Sequence, residues 1–145
     1  MHARSILASA AVAVFAALPA SAPAHADPQG AFVRSHAIDM IDGLLNDAQI
    51  GHVQSLAYQA AVASSCEGFV IDAAKFGSAF EKLVHESEED MTDEQKTYFE
   101  QHLLFVYGVF VGGELAHVAE DPGMACAMAM EAKADPEAAD MLVWE

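Results

Sequence analysis

Basic residues are scarce in this sequence: six lysines and arginines stand against 22 aspartates and glutamates, a net charge of −16. Arg4 lies in the N-terminal segment, so residues 27–145 keep only Arg34, Lys75, Lys82, Lys96 and Lys133 against all 22 acids, a net charge of −17. Binding phosphates requires lysine and arginine, and a field of this sign repels nucleic acid and anionic lipid. Nucleic-acid binding is excluded. An acidic surface suits solubility, a basic partner, or loosely held cations.

Catalytic motifs are missing too. Ser64, Ser65 and Ser78 have no G-x-S-x-G setting, and there is no phosphate-binding loop and no zinc-protease helix. The acidic run "HESEED", His85 to Asp90, lacks the alternating Asp/Asn pattern and central glycine of a calcium loop. It reads as a solvated inter-helix loop, where Glu88 and Glu89 are poorly placed for general acid–base chemistry. These absences lead us to expect a non-enzymatic protein without a cofactor.

Long apolar runs are few. "MHAR" gives the chain a short positive start, and Ile6 to Leu18 is apolar but too short to span a bilayer comfortably. "PASAPAHA" then ends in an A-x-A pattern before Asp27. These features predict a signal peptide over residues 1–26, cleaved after Ala26, and a single exported domain over 27–145, periplasmic or secreted. The most apolar later run, Leu103 to Gly113, falls short of a membrane span and reads as a buried helix.

Strand-like alternation is nearly absent, and there are no internal repeats. Helix starts, in contrast, are well marked. Asp-Pro occurs at Asp27-Pro28, Asp121-Pro122 and Asp135-Pro136, each placing a capping carboxylate before a proline whose missing N–H costs nothing at the first helical position. Thr92 and Gln95 form a capping box, and Asp72 is placed to cap the segment that follows it. Apolar residues at helical spacing then predict helices over about Pro28 to Asn46, from Ile50 to near Cys66, and through Phe76, Phe80, Leu83 and Val84. A long fourth helix follows from about Asp93 to Ala119, then a short one around Met124 to Ala132 and a terminal one from Pro136. The expected fold is all-α: a small bundle of about five to six helices around a long central helix.

In that fourth helix Phe99, Leu103, Val106, Phe110, Glu114 and His117 fall within about 80° of arc. Leu104, Phe105, Val109 and Val111 occupy other faces, so the middle is apolar all round, as expected of the central helix of a bundle. Gly108, Gly112 and Gly113 weaken it by roughly 1 kcal/mol each. They make sense where neighbouring helices approach closely, or where the helix bends.

Two cysteines, Cys66 and Cys126, in an exported chain favour a disulfide. It closes a loop of about 60 residues, worth roughly 4 kcal/mol by chain-entropy reasoning. No C-x-x-C and no nearby base argue for redox work instead. Cys126 lies in "DPGMACAMAM", where Met124, Cys126, Met128 and Met130 recur at every second position, and soft sulfur ligands of this kind select Cu(I). A spacing of two aligns all four only on a strand. On a helix Met124 and Met128 share one face, Cys126 and Met130 another. A second metal reading uses the E-x-x-H pair Glu114 and His117, with Glu81 and His85 as candidates to face it; helical di-iron sites need two such pairs and two further glutamates. The candidate metal ligands are therefore Glu114, His117, Met124 and Met128, for copper or another divalent ion. Against them stand core packing and an ordinary ion pair on one helix face.

The segment "CEGFVIDAAKF", Cys66 to Phe76, has C-x-x-F followed by an aspartate and a phenylalanine. In this, and in being small, helical and exported with two cysteines, the chain resembles the periplasmic acid-stress chaperones of the HdeA type. It departs from them in a longer cysteine separation, a far more acidic composition and few lysines. The resemblance implies a protein that loosens in acid and binds unfolding clients. Three functions are thus carried forward: an envelope binding or accessory protein that recognises another macromolecule, a periplasmic metal-binding protein, and an acid-stress chaperone.

Overall fold

A computed structural model of the protein describes residues 29–87 and 91–145. The expected signal peptide, the Asp27-Pro28 helix start and Glu88 to Asp90 of the acidic run lie outside the described residues. Five α-helices make up the described chain: α1 Gln29–Ile41, α2 Asp47–Ser65, α3 Ala73–Ser87, α4 Asp93–Glu120 and α5 Pro122–Ala134, followed by one 3-10 turn, Ala139–Met141. The all-α expectation holds.

Local chemistry explains each boundary. α1 stops at Ile41, five residues short of the expected Asn46, because Gly43 takes a left-handed φ of 77°. Leu44 N–H then bonds the Ile41 carbonyl at 3.0 Å, a helix ending of the kind glycine makes cheap. Asn46 starts α2 instead of ending α1: its Oδ1 accepts from Gln49 N–H at 3.0 Å, and Gln49 Oε1 accepts from Asn46 N–H at 2.9 Å. The same reciprocal box, Thr92 with Gln95, opens α4. Asp72 Oδ1 accepts from Ala74 and Lys75 N–H ahead of α3, and Asp121 Oδ1 accepts from Met124 N–H ahead of α5.

The expected helix from Pro136 does not form. Asp135 starts a turn, accepting from Glu137 N–H at 2.9 Å, but after Met141 the chain runs extended. A bridge between Trp144 and Ile71 carries Asp72 N–H to the Val143 carbonyl and Glu145 N–H to the Val70 carbonyl. Tertiary burial decides this. Val143 and Trp144 are each 3 % exposed, and Trp144 meets Phe69 edge-on with ring centroids 4.7 Å apart.

The interior is organised as two clusters along α2 and α4. One holds Ile41, Val53, Leu83, Phe99, Leu103 and Phe110; the other holds Val62, Phe69, Val118, Ala129 and Trp144. The disulfide Cys66–Cys126 is present, with Cα atoms 5.6 Å apart, and pins the end of α2 to α5 within the second cluster. Where α1 crosses α4, Gly30 and Gly113 bring the backbones together: a Cβ on Gly30 would lie 2.7 Å from the Gly113 carbonyl oxygen.

α4 is not buried all round. It packs inward through Phe99, Leu103, Val106, Phe110, Gly113, Glu114 and Val118, and turns another side to solvent. At 28 residues it is also long and apolar enough to cross a membrane by length and composition, which the sequence reading did not expect of any segment after residue 26; a third of its most apolar window is buried within the fold.

Candidate functional site

The E-x-x-H pair divides between two environments. Glu114, 3 % exposed, turns inward at the crossing of α1, α2 and α4. Arg34 Nη1 from α1 lies 3.6 Å from Glu114 Oε2, and Gln54 Nε2 from α2 donates to Glu114 Oε1 at 3.3 Å. A carboxylate this deep needs such partners. His117, one turn on, is half exposed, with Nδ1 3.8 Å from Glu120 Oε2 rather than near Glu114. Arg34, Gln54, Glu114 and His117, with Gly51, Ser55 and Tyr58, line an open cleft of about 410 Å³. Burial, and then the Glu114 charge, raise the Tyr58 pKa above its ordinary 10.0, so its hydroxyl stays protonated at neutral pH.

The cleft therefore presents a carboxylate already satisfied by a guanidinium and an amide, beside a neutral phenol. The carboxylate joins three helices through these contacts. Glu81 and His85 lie elsewhere, on α3 beside Glu100. Met124 and Met128 are each 59 % exposed on α5, and Cys126 is held in the disulfide with Cys66. Among the described residues, no three His, Cys, Asp or Glu side chains come together as they would around an ion.

Sequence reasoning placed Glu114 on the inward side of α4 but did not find its partners. One signal was available: Arg34 is the only arginine in residues 27–145, and a lone guanidinium in so acidic a chain invites a dedicated carboxylate. Gln54 and Tyr58 carried no comparable mark.

The second feature is the solvent side of α4. Leu104 and Phe105 are 57 % and 60 % exposed, and Leu115 continues the strip two to three turns on. Between them Gly108 and Gly112 leave the surface smooth; among the described residues, beyond the adjoining backbone of α4 itself, nothing lies within 4 Å of a Cβ built at either. The close helix approach expected of the glycines is thus real for Gly113 and unfilled for the other two. At the N-terminal end the strip runs into a groove of about 340 Å³ between α3 and α4, with Phe80, Val84 and Leu104 as apolar walls and Glu81, His85 and Glu100 as polar ones. Burial also raises the pKa of Tyr107 on α4, whose ring packs against Phe76 and Phe80 of α3.

Comparison with protein-family models, curated proteins and solved structures gave no match. The residues of "CEGFVIDAAKF" have local tasks in this fold: Cys66 ends α2 and carries the disulfide, Phe69 packs on Trp144, Asp72 caps α3, and Phe76 meets Tyr107.

Proposed function

We propose that the protein is a non-enzymatic accessory protein of the cell envelope that recognises another macromolecule through the outward face of α4. The observation that carries this reading is the exposed strip of Leu104, Phe105, Gly108, Gly112 and Leu115 on a helix whose opposite side is packed into the core. Water contact with contiguous apolar side chains is unfavourable, and soluble proteins keep large patches of this kind for partners. Export is supported by the N-terminal sequence pattern and by a disulfide, which persists in oxidising compartments. The inward chemistry points the same way, since Glu114 is occupied by Arg34 and Gln54.

Site-specific photocrosslinking tests the proposal. A photoreactive side chain at position 105 in native envelopes should give one dominant adduct, and the same group at Met141, exposed on the C-terminal tail, should give none. Identical diffuse adducts from both positions would refute the docking face.

A further inference from the structure

The occupant of the α4 face is constrained by its rim. Glu81 on α3 and Glu100 on α4 stand on the walls of the groove, with His85 beside them, and among the described residues no lysine or arginine lines it. The rest of the chain adds to this field, at five basic residues against 22 acidic ones over 27–145. A second copy would bring the same large negative charge against this face, and an anionic bilayer would be repelled for the same reason. A segment with positive charge beside its apolar contact surface gains on both counts.

The floor constrains shape. From Leu104 to Leu115 the strip runs roughly 16 Å at 1.5 Å per residue, about three turns of a facing helix. Gly108 and Gly112, one turn apart, remove the ridge that side chains would otherwise raise, so a second helix can lie close along α4. Leu104 and Phe105 at one end and Leu115 at the other then flank its anchors, as in helix-in-groove recognition.

From these features, and resting on the docking reading above, we infer that the partner segment is a basic amphipathic α-helix. Its apolar side lies along Leu104, Phe105, Gly108, Gly112 and Leu115, and its lysine or arginine side chains reach Glu81 and Glu100.

The test uses two labelled synthetic helices, roughly five turns long, that share one leucine face. One carries lysine on its polar side and the other glutamate. Each is titrated with the full, disulfide-bonded protein near physiological ionic strength, where screening acts over about 8 Å, and followed by fluorescence anisotropy. The lysine helix should bind at least about tenfold more tightly than the glutamate helix, and the double variant Glu81→Gln/Glu100→Gln should lose about that factor. Two further variants separate docking from bulk effects. Phe105→Asp adds negative charge, so general attraction predicts tighter binding of the lysine helix, whereas docking predicts loss. Gly108→Leu adds apolar surface, so unspecific stickiness predicts a gain, whereas close helix packing predicts loss. All three sets of positions face solvent, and circular dichroism confirms that each variant is folded.

Equal binding of the two helices, with loss in Phe105→Asp, would overturn the basic partner and leave the docking face standing. Tighter binding in Phe105→Asp would overturn both. Self-association in sedimentation, or binding to anionic vesicles, abolished by the same Phe105→Asp change, would assign the face to a second copy or to a membrane and overturn the inference.

Discussion

Gln59 is the residue on which the C-terminal half turns. It is 2 % exposed and satisfies three groups of the returning tail: its Oε1 accepts from Val143 N–H at 2.7 Å, its Nε2 donates to the Met141 carbonyl at 3.1 Å, and its own carbonyl accepts from Trp144 Nε1 at 3.0 Å. The amide both donates and accepts, and no aliphatic side chain of similar volume can do so. Gln59→Leu leaves the buried Val143 N–H unpaired and is expected to cost about 1–3 kcal/mol, read as a fall in the denaturant midpoint at unchanged slope. A midpoint within error of the parent would show that the tail is held without the Gln59 amide. Arg34 and Glu114 form the other internal polar anchor, joining α1 to α4.

Helix boundaries and glycines govern the next scale. Gly30 and Gly113 permit the α1–α4 crossing, whereas Gly108 lies open on the outer face. Adding one methyl group should therefore act in opposite directions. Gly30→Ala drives a Cβ toward the Gly113 carbonyl, must displace backbone, and should lower the thermal midpoint. Gly108→Ala only removes the helix cost of glycine and should add about 1 kcal/mol. Thermal melts of the two variants check the pair, and changes of the same sign would contradict the crossing geometry. Much at this scale was legible beforehand, because caps are local: Thr92 with Gln95, Asp72, and Asp121 with Pro122 act where their spacing predicted. What escaped depends on contacts distant in sequence. The strand-like tail is set by Gln59, more than 80 residues away, and the Asp135-Pro136 signal yields only a turn beneath it. Periodicity also cannot tell an apolar side that packs from one left open, and so α4 looked uniformly buried. Glu114 was legible as an inward carboxylate, but its neutralisation by Arg34 from another helix was not.

At the scale of the molecule, two features hold the described helices together. The disulfide and the buried tail fix α2, α5 and the C-terminus around one cluster, while α1 and α3 pack with α2 and α4 around the other. Loss of the disulfide from a domain of this size typically costs 2–5 kcal/mol. On the proposed docking reading, the acidic charge disfavours pairing of two copies and leaves the apolar face of α4 to a partner of opposite sign. The most direct test of that account is the size of the native complex in envelope extracts, compared between the parent protein and Phe105→Asp by sedimentation, with thermal midpoints measured in parallel. The account predicts that the parent migrates in a complex larger than the single chain, and that Phe105→Asp migrates alone at an unchanged midpoint. Equal migration of the two folded proteins would contradict it.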